Sequence, residues 1–198
     1  GASVSSDACI ACLTCVRVCP FEIPKIKEDE NFAYIDNDCQ SCGMCVVECP
    51  AKAIEFKGPY EDMGKGQLDE VFNKAKTSEP LIINFYCSYN LDLALSKEEL
   101  PENIRQVNLL SLGKLSPGLI LDAFEKGADG VLITSCDDSC HFGDSCNTWA
   151  EQRAKTAIDF LASIGIEKER IMYHMLPGQD GDSFLQTANQ LIEEIKKL

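Results

Sequence analysis

The 198-residue sequence predicts a two-part chain: a small α+β module built on repeated cysteine motifs, then a small α/β domain with a four-stranded parallel sheet. Three observations carry that expectation. Eight of the twelve cysteines stand within the first 57 residues, in two copies of one pattern. From Leu81 onward, short apolar runs alternate with helical patterns, which is how βαβ units and parallel sheets read in sequence. Between the two regimes lies a stretch rich in turn-forming residues.

Length and composition set the outer limits. At roughly 150 residues per domain, the chain holds one or two domains. Hydrophobic residues make up 45% and charged residues 25%, which excludes disordered, collagenous and coiled-coil classes. No apolar run approaches the roughly 18 residues of a membrane span. Residues 1–7 show no basic region followed by an apolar stretch, so no signal peptide is read and a cytoplasmic location is expected. The net charge of −14, with acid in excess in both halves, argues against nucleic acid and anionic membranes as partners. Twelve cysteines in a chain long enough to bury a core, without an export signal, point to metal ligation rather than a disulfide framework.

The cysteine spacing is specific. Cys9-Ile-Ala-Cys12-Leu-Thr-Cys15-Val-Arg-Val-Cys19-Pro20 recurs as Cys39-Gln-Ser-Cys42-Gly-Met-Cys45-Val-Val-Glu-Cys49-Pro50, an offset of 30 residues. Three thiolates at three-residue intervals curl a loop around one corner of a cubane, and the fourth, at a helical turn, points away from it. Structural zinc sites also use thiolates, but usually separate two Cys-x-x-Cys pairs by a long spacer; here a third cysteine follows directly and proline closes each motif. Residues 7–57 resemble the bacterial two-cluster [4Fe–4S] ferredoxins. The resemblance implies a ferredoxin-like two-cluster α+β domain over residues 1–57, in which the remote cysteine of each motif ligates the other cluster. It gives one [4Fe–4S] cluster to Cys9, Cys12, Cys15 and Cys49, and the second to Cys39, Cys42, Cys45 and Cys19. Val16, Val18, Phe21, Tyr34, Val46, Val47, Ile54 and Phe56 are then packing around the clusters.

Residues 58–80 read as linker and connecting helix: Gly58-Pro-Tyr-Glu-Asp-Met-Gly-Lys-Gly supplies turn chemistry, and Leu68, Val71, Phe72 and Ala75 recur at helical spacing. Strands are expected at Leu81–Cys87, Arg105–Leu110, Gly130–Ser135 and Arg170–Leu176. Ser116 as cap, Pro117 at the first position and Gly127 past the end bound one helix; Gly165 ends another. Phe184, Leu185, Ala188, Leu191, Ile192 and Ile195 make an apolar face on the last. A flavodoxin-like domain over residues 81–198 is the economical architecture.

That topology draws attention to the last four cysteines. Cys87 and Cys136 end the first and third strands, and ligands of open parallel sheets bind in the crevice beyond the strands' carboxyl ends. Cys140 and Cys146 lie in the loop after Cys136, which can fold back over the same edge. Alternatively, the first two are buried strand-end thiols and the loop pair is incidental. Residues 81–198 also resemble the delta (iron–sulfur) subunit of methyl-viologen-reducing hydrogenase. The resemblance runs through Phe85-Tyr-Cys-Ser-Tyr, Leu121-Asp-Ala-Phe-Glu-Lys-Gly-Ala-Asp-Gly-Val-Leu-Ile, Ser135-Cys136 to Cys140-His141, the helix of Arg153, and Gly165-Ile-Glu-Lys-Glu-Arg-Ile. It implies a [2Fe–2S] cluster and electron transfer to a heterodisulfide-reductase-type flavoprotein, with Cys87, Cys136, Cys140 and Cys146 as the ligands to expect. The chain departs from the family in carrying Asn90 and Ser111 where cysteines usually stand, and in separating Cys136 from Cys140 by three residues rather than four.

Other groups carry less. His141 is read as a neighbour of the site or a plain loop residue, His174 as a satisfied histidine, and Trp149 as seating its helix on the sheet. Gly64-Lys-Gly66 follows no strand and is no nucleotide fingerprint. Two function classes are weighed: an electron-transfer subunit relaying electrons between an oxidoreductase of hydrogenase or formate dehydrogenase type and a flavoprotein, and a redox enzyme with a catalytic cluster in the crevice. A diffusible ferredoxin is the other form of the first. The sequence shows no nucleophile and base pair, no cofactor-binding loop and no substrate domain, which favours the electron-transfer subunit.

Overall fold

The computed structural model describes residues 1–27, 29–56, 64–73, 78–87, 91, 100–137, 140–178 and 180–198. Most of the turn-rich stretch after Phe56, together with Ala75 and Asn90, lies outside the described residues. The chain divides into two compact units, Gly1–Met63 and Gly64–Leu198.

The first unit is assembled from short pieces. Strand β1 (Ala2–Val4) pairs antiparallel with β4 (Ile54–Phe56), Val4 opposite Ile54, and β2 (Lys25–Lys27) pairs antiparallel with β3 (Phe32–Tyr34). Helices α1 (Thr14–Val18) and α2 (Met44–Glu48) pack on each other. The sequence repeat is repeated in the backbone. Ala11 and Ser41, Leu13 and Gly43, and Glu22 and Lys52 all take left-handed conformations, each pair 30 residues apart. Such a conformation in a non-glycine residue persists only where its surroundings enforce it, so both motifs are bent by the same constraint. The core holds few large side chains: Ala2, Ala33, Ala53, Ile54 and Phe56 surround Cys15, Cys45 and Cys49.

The second unit carries a parallel sheet of β5 (Ile82–Tyr86), β6 (Ile104–Asn108), β7 (Gly130–Ser135) and β8 (Ile171–Met175), in spatial order β6-β5-β7-β8. In chain order this is second, first, third, fourth, so the direction of winding reverses between β5 and β7. That is the place where doubly wound sheets open a crevice. Of the helices on this sheet, α6 (Gly181–Ile195) covers one face, setting Phe184, Ala188, Leu191 and Ile195 against Ile82, Ile104 and Leu132. Alternation along the strands turns Ile83, Phe85, Val131 and Ile133 to the other face. There α4 (Pro117–Glu125) and α5 (Asp144–Ser163) pack on β7 and on each other.

The four expected strands are present within a residue or two. The second starts at buried Ile104 and stops at Asn108, because Leu110 turns left-handed. The caps lie where side-chain chemistry puts them. Ser116 Oγ accepts from the Leu119 amide at 3.1 Å with Pro117 next, and Gly127 and Gly165 follow helix ends at positive φ.

The helix expected in the connecting stretch exists as α3 (Lys65–Asn73) and is an integral part of the second unit. It lies against the edge strand β6, with Leu68 fully buried, and Gln67 Oε1 accepts the outward amide of Asn108 at 2.7 Å. The Lys126 ammonium pairs with Asp69. Gly64 makes this docking possible: its φ is +107°, and a Cβ there would stand 2.9 Å from Leu109 Cδ2 and 3.2 Å from Leu119 Cδ2. Gly64→Ala therefore combines backbone strain with a steric clash and is expected to destabilise the second unit by about 2 kcal/mol. Urea unfolding followed by far-ultraviolet circular dichroism checks this, and an unchanged midpoint would refute it.

Candidate metal centres

Among the described residues of the first unit, two cavities have thiols in their walls. One, partly open to solvent, spans about 330 Å³ and is lined by Cys9, Cys12, Cys15 and Cys49, with Ala33, Ala53 and Ile54 among its apolar walls. The other, also partly open, spans about 300 Å³ and is lined by Cys19, Cys39, Cys42 and Cys45, with Phe21, Ile35 and Phe56. Each thus takes three cysteines from one motif and the fourth from the other, because the helical turn after the third cysteine carries the chain across to the facing motif. Of the apolar residues expected around the clusters, Ile54 lines the first cavity and Phe21 and Phe56 the second; Val16, Val18 and Val46 pack in the shared core.

The sulfurs meet hydrogen-bond donors. The amides of Ala33 and Ala53 donate to Cys9 Sγ at 3.5 Å and to Cys49 Sγ at 3.3 Å. The Thr14 hydroxyl, 3.3 Å from Cys12 Sγ, holds that thiol below its usual range, helped by the Thr14 amide. Burial pushes Cys15, Cys42 and Cys45 up instead, and neighbouring thiols add to the shift, with Cys19 acting on both Cys42 and Cys45. Such thiols give up their protons readily only to a strongly bound cation. Sulfur-lined cavities with apolar walls and amides aimed at sulfur fit an iron–sulfur cube.

In the second unit the four remaining cysteines meet. Cys87 and Cys136 directly follow β5 and β7, the neighbouring strands at which the winding reverses. Cys146 stands in the first turn of α5. Cys87, Cys136 and Cys146 are buried and Cys140 partly so. The thiols form a chain in which Cys136 neighbours both Cys140 and Cys87, and Cys140 neighbours Cys146. In this chain of bonds Cys140 accepts from Cys136 and Cys146, which holds it far below an ordinary thiol and drives those two up. The protonated Cys87 donates to the Leu110 carbonyl at 3.0 Å. Four thiols gathered pairwise at the ends of β5 and β7 are a donor set that would suit a binuclear iron–sulfur group.

Three polar residues complete this site; the sequence marked Ser111 only as a departure from its family and Arg153 only as part of a resembling helix, and gave Asn147 no part. Ser111, fully buried, lies with its Oγ 3.3 Å from Cys146 Sγ. Asn147 donates to the carbonyls of Cys136 at 2.8 Å and Asp137 at 3.2 Å, tying the thiol loop to α5. Arg153, 5% exposed, donates from Nη1 to the carbonyls of Gly113 at 2.8 Å and Leu115 at 2.9 Å. The helical spacing of Cys146, Ala150, Arg153 and Ala157 was the available signal, since it puts an arginine on a buried face of small residues.

The remaining candidates separate cleanly. His174 is satisfied by Thr187 Oγ1 at 3.2 Å and Ser183 Oγ at 3.4 Å, and burial lowers its pKa. His141 is exposed and packs edge-on against buried Phe142. Trp149 is half-buried beneath the Arg153 guanidinium, 5.6 Å from the ring centroid, while Ala150, Ala154, Ala157 and Leu161 are the buried apolar residues that seat α5. Among the described residues no helix is long and apolar enough to cross a membrane.

A thiol-lined double cavity and a thiol crevice on a doubly wound sheet define an iron–sulfur electron-transfer protein. Residues 82–198 match the family of the methyl-viologen-reducing hydrogenase delta subunit, more than half of the chain, and the chain belongs to that family. Residues 8–54 match the 4Fe-4S dicluster domain. The iron-sulfur subunit of the vhc F420-non-reducing hydrogenase of Methanococcus voltae is 32% identical over 63% of this chain and 90% of its own length. A subunit of the Ferredoxin:CoB-CoM heterodisulfide reductase of Methanosarcina mazei is 30% identical over the whole of this chain, which spans 25% of that protein. Ferredoxin-1 of Caulobacter vibrioides is 42% identical over 32% of this chain and 56% of its own.

Arg153 and Lys155 give contrasting expectations. Arg153→Ala leaves two buried carbonyls without their donor and is expected to cost about 3 kcal/mol. Lys155→Ala removes only an exposed pair with Glu151 and should change stability by less than about 0.5 kcal/mol. Urea titration of both variants tests this, and equal midpoints would overturn it.

Proposed function

We propose that this chain is the electron-transfer subunit of a larger redox assembly and carries three centres. The first unit is a ferredoxin-like module with one [4Fe–4S] cluster on Cys9, Cys12, Cys15 and Cys49 and another on Cys39, Cys42, Cys45 and Cys19. The second holds a [2Fe–2S] cluster on Cys87, Cys136, Cys140 and Cys146. The observation that carries this reading is the partition of the eight N-terminal thiols between two cavities, each with its fourth cysteine from the other motif.

Bound clusters would supply one-electron chemistry; the protein's part is to hold them still and to set their energies. Amides at Cys9 and Cys49 stabilise the charge on sulfur, which favours the reduced form. The net charge of −14 works the other way, disfavouring an added electron. It places the potentials toward the low end of the known range, roughly −700 to +450 mV. The relatives' names provide the partner classes: a hydrogenase on one side and a heterodisulfide reductase on the other. The partner at the crevice is a flavoprotein of heterodisulfide-reductase type, docked on the edge that carries Cys87 and Cys136 so that flavin and cluster lie close.

Protein purified anoxically is expected to hold iron and acid-labile sulfide in equal amounts, about ten of each per chain. Stoichiometric zinc without sulfide would end this reading. The crossed ligation makes a sharper claim. Cys19→Ser should damage the cluster held by Cys39, Cys42 and Cys45, and Cys49→Ser the one held by Cys9, Cys12 and Cys15. Electron paramagnetic resonance of the reduced variants resolves the two, and loss of the cluster nearest in sequence would refute the crossing.

A further inference from the structure

The short turn that follows β6 is held by two residues of one helix face. Leu112–Lys114 forms a single tight turn, capped by Ser111, and all four residues are buried. From α5, Arg153 grips the turn through the carbonyls of Gly113 and Leu115, while Cys146, two helical turns earlier on the same helix, meets Ser111. The hydrogen bonds of Ser111 can be accounted for atom by atom. Its Oγ accepts the Gly113 amide at 3.0 Å, which engages one lone pair. Its Oγ also lies 3.3 Å from Cys146 Sγ, and among the described residues no other group is bonded to the hydroxyl. A thiolate accepts hydrogen bonds and donates none. Once Cys146 has lost its proton, the bond between these atoms therefore runs from the Ser111 hydroxyl to sulfur.

We propose that Ser111 is a built-in hydrogen-bond donor to the Cys146 thiolate of the third centre, positioned by the turn that Arg153 holds, and that it raises that centre's reduction potential. The inference rests on reading Cys146 as a cluster ligand. Reduction adds one electron to the centre; no bond to carbon, oxygen or sulfur is made or broken, and the hydroxyl proton stays on Ser111. The O–H dipole faces the sulfur on which part of the added charge falls, so it stabilises the reduced form more than the oxidised one. Full burial keeps water from replacing or screening it. Ser111 is thus a positioning and tuning residue: it touches a ligand of the centre and is not itself a ligand.

The test uses the full chain, loaded with its iron and sulfide under anoxic conditions, and reads the third centre by redox titration with electron paramagnetic resonance. Ser111→Ala should retain the [2Fe–2S] signal with a more negative midpoint, while the signals of the first unit titrate as before. After transfer to heavy water, pulsed resonance of the unmodified chain should show an exchangeable deuteron coupled to the reduced centre. Ser111→Ala should lose that coupling and Ser111→Thr regain it. An unmoved midpoint with unchanged coupling would reduce Ser111 to a cap of its turn. Loss of the centre in Ser111→Ala but not in Ser111→Cys would make it a ligand and overturn the proposal. Should Ser111→Ala fail to load, the unmodified chain still decides, because absence of an exchangeable deuteron there removes the donor. Absence of any [2Fe–2S] signal in the unmodified chain would instead sink the assignment of the third centre itself.

Discussion

A buried sulfur that must carry negative charge needs donors around it, and this requirement organises both halves of the molecule. In water a thiolate is solvated; inside a protein it must be met by amides, hydroxyls or cations, or it keeps its proton. The first unit supplies amides from Ala33 and Ala53, at strand β3 and just before β4, and the amide of Thr14 at the start of α1. The left-handed residues of its two motifs let a short chain bend around each cavity. Its sheets have only three residues per strand, so the cysteine loops rather than the ladders define its form.

The second unit meets the same need with a larger scaffold. Adjacent parallel strands β5 and β7 end side by side, which delivers Cys87 and Cys136 to one edge without special loop design. Cys146 then comes from the helix that covers that face. Because Asn147 and Arg153 bind loop carbonyls from the same helix, α5 fixes both the loop carrying Cys140 and the turn carrying Ser111. The polar interior here is selective. Asn84, fully buried in strand β5, is satisfied by Gln106 at 3.0 Å and Thr134 at 2.8 Å.

Much of this was legible in the sequence, and for a physical reason in each case. Cysteine spacing is a local signal, and the 30-residue repeat carried over into matching helices and matching left-handed residues. Strand runs such as Gly130–Ser135 are fully buried, so their apolar composition announces them. Ser116, Pro117 and Gly127 act within one turn of where they stand. What sequence alone could not show depends on long-range contact. Leu68, Val71 and Phe72 announce a helix but not that it seals the edge of β6. Trp149 looked like the anchor of α5 because it is large, whereas alanines allow the helix to lie close and leave the indole to support Arg153. Ser111 stood out as a departure from its family, yet only folding brings it to Cys146, 35 residues away.

Hydrocarbon is scarce in the core of the first unit. Alanines and thiols bury little of it, and a module of this size has little else to hold it together. The folded state of this module would then depend on what fills its thiol-lined cavities, while the second unit keeps the aliphatic core of Ile82, Leu132, Phe184 and Leu191. Emptying those cavities would loosen the first unit and leave the second with the aliphatic core that holds it.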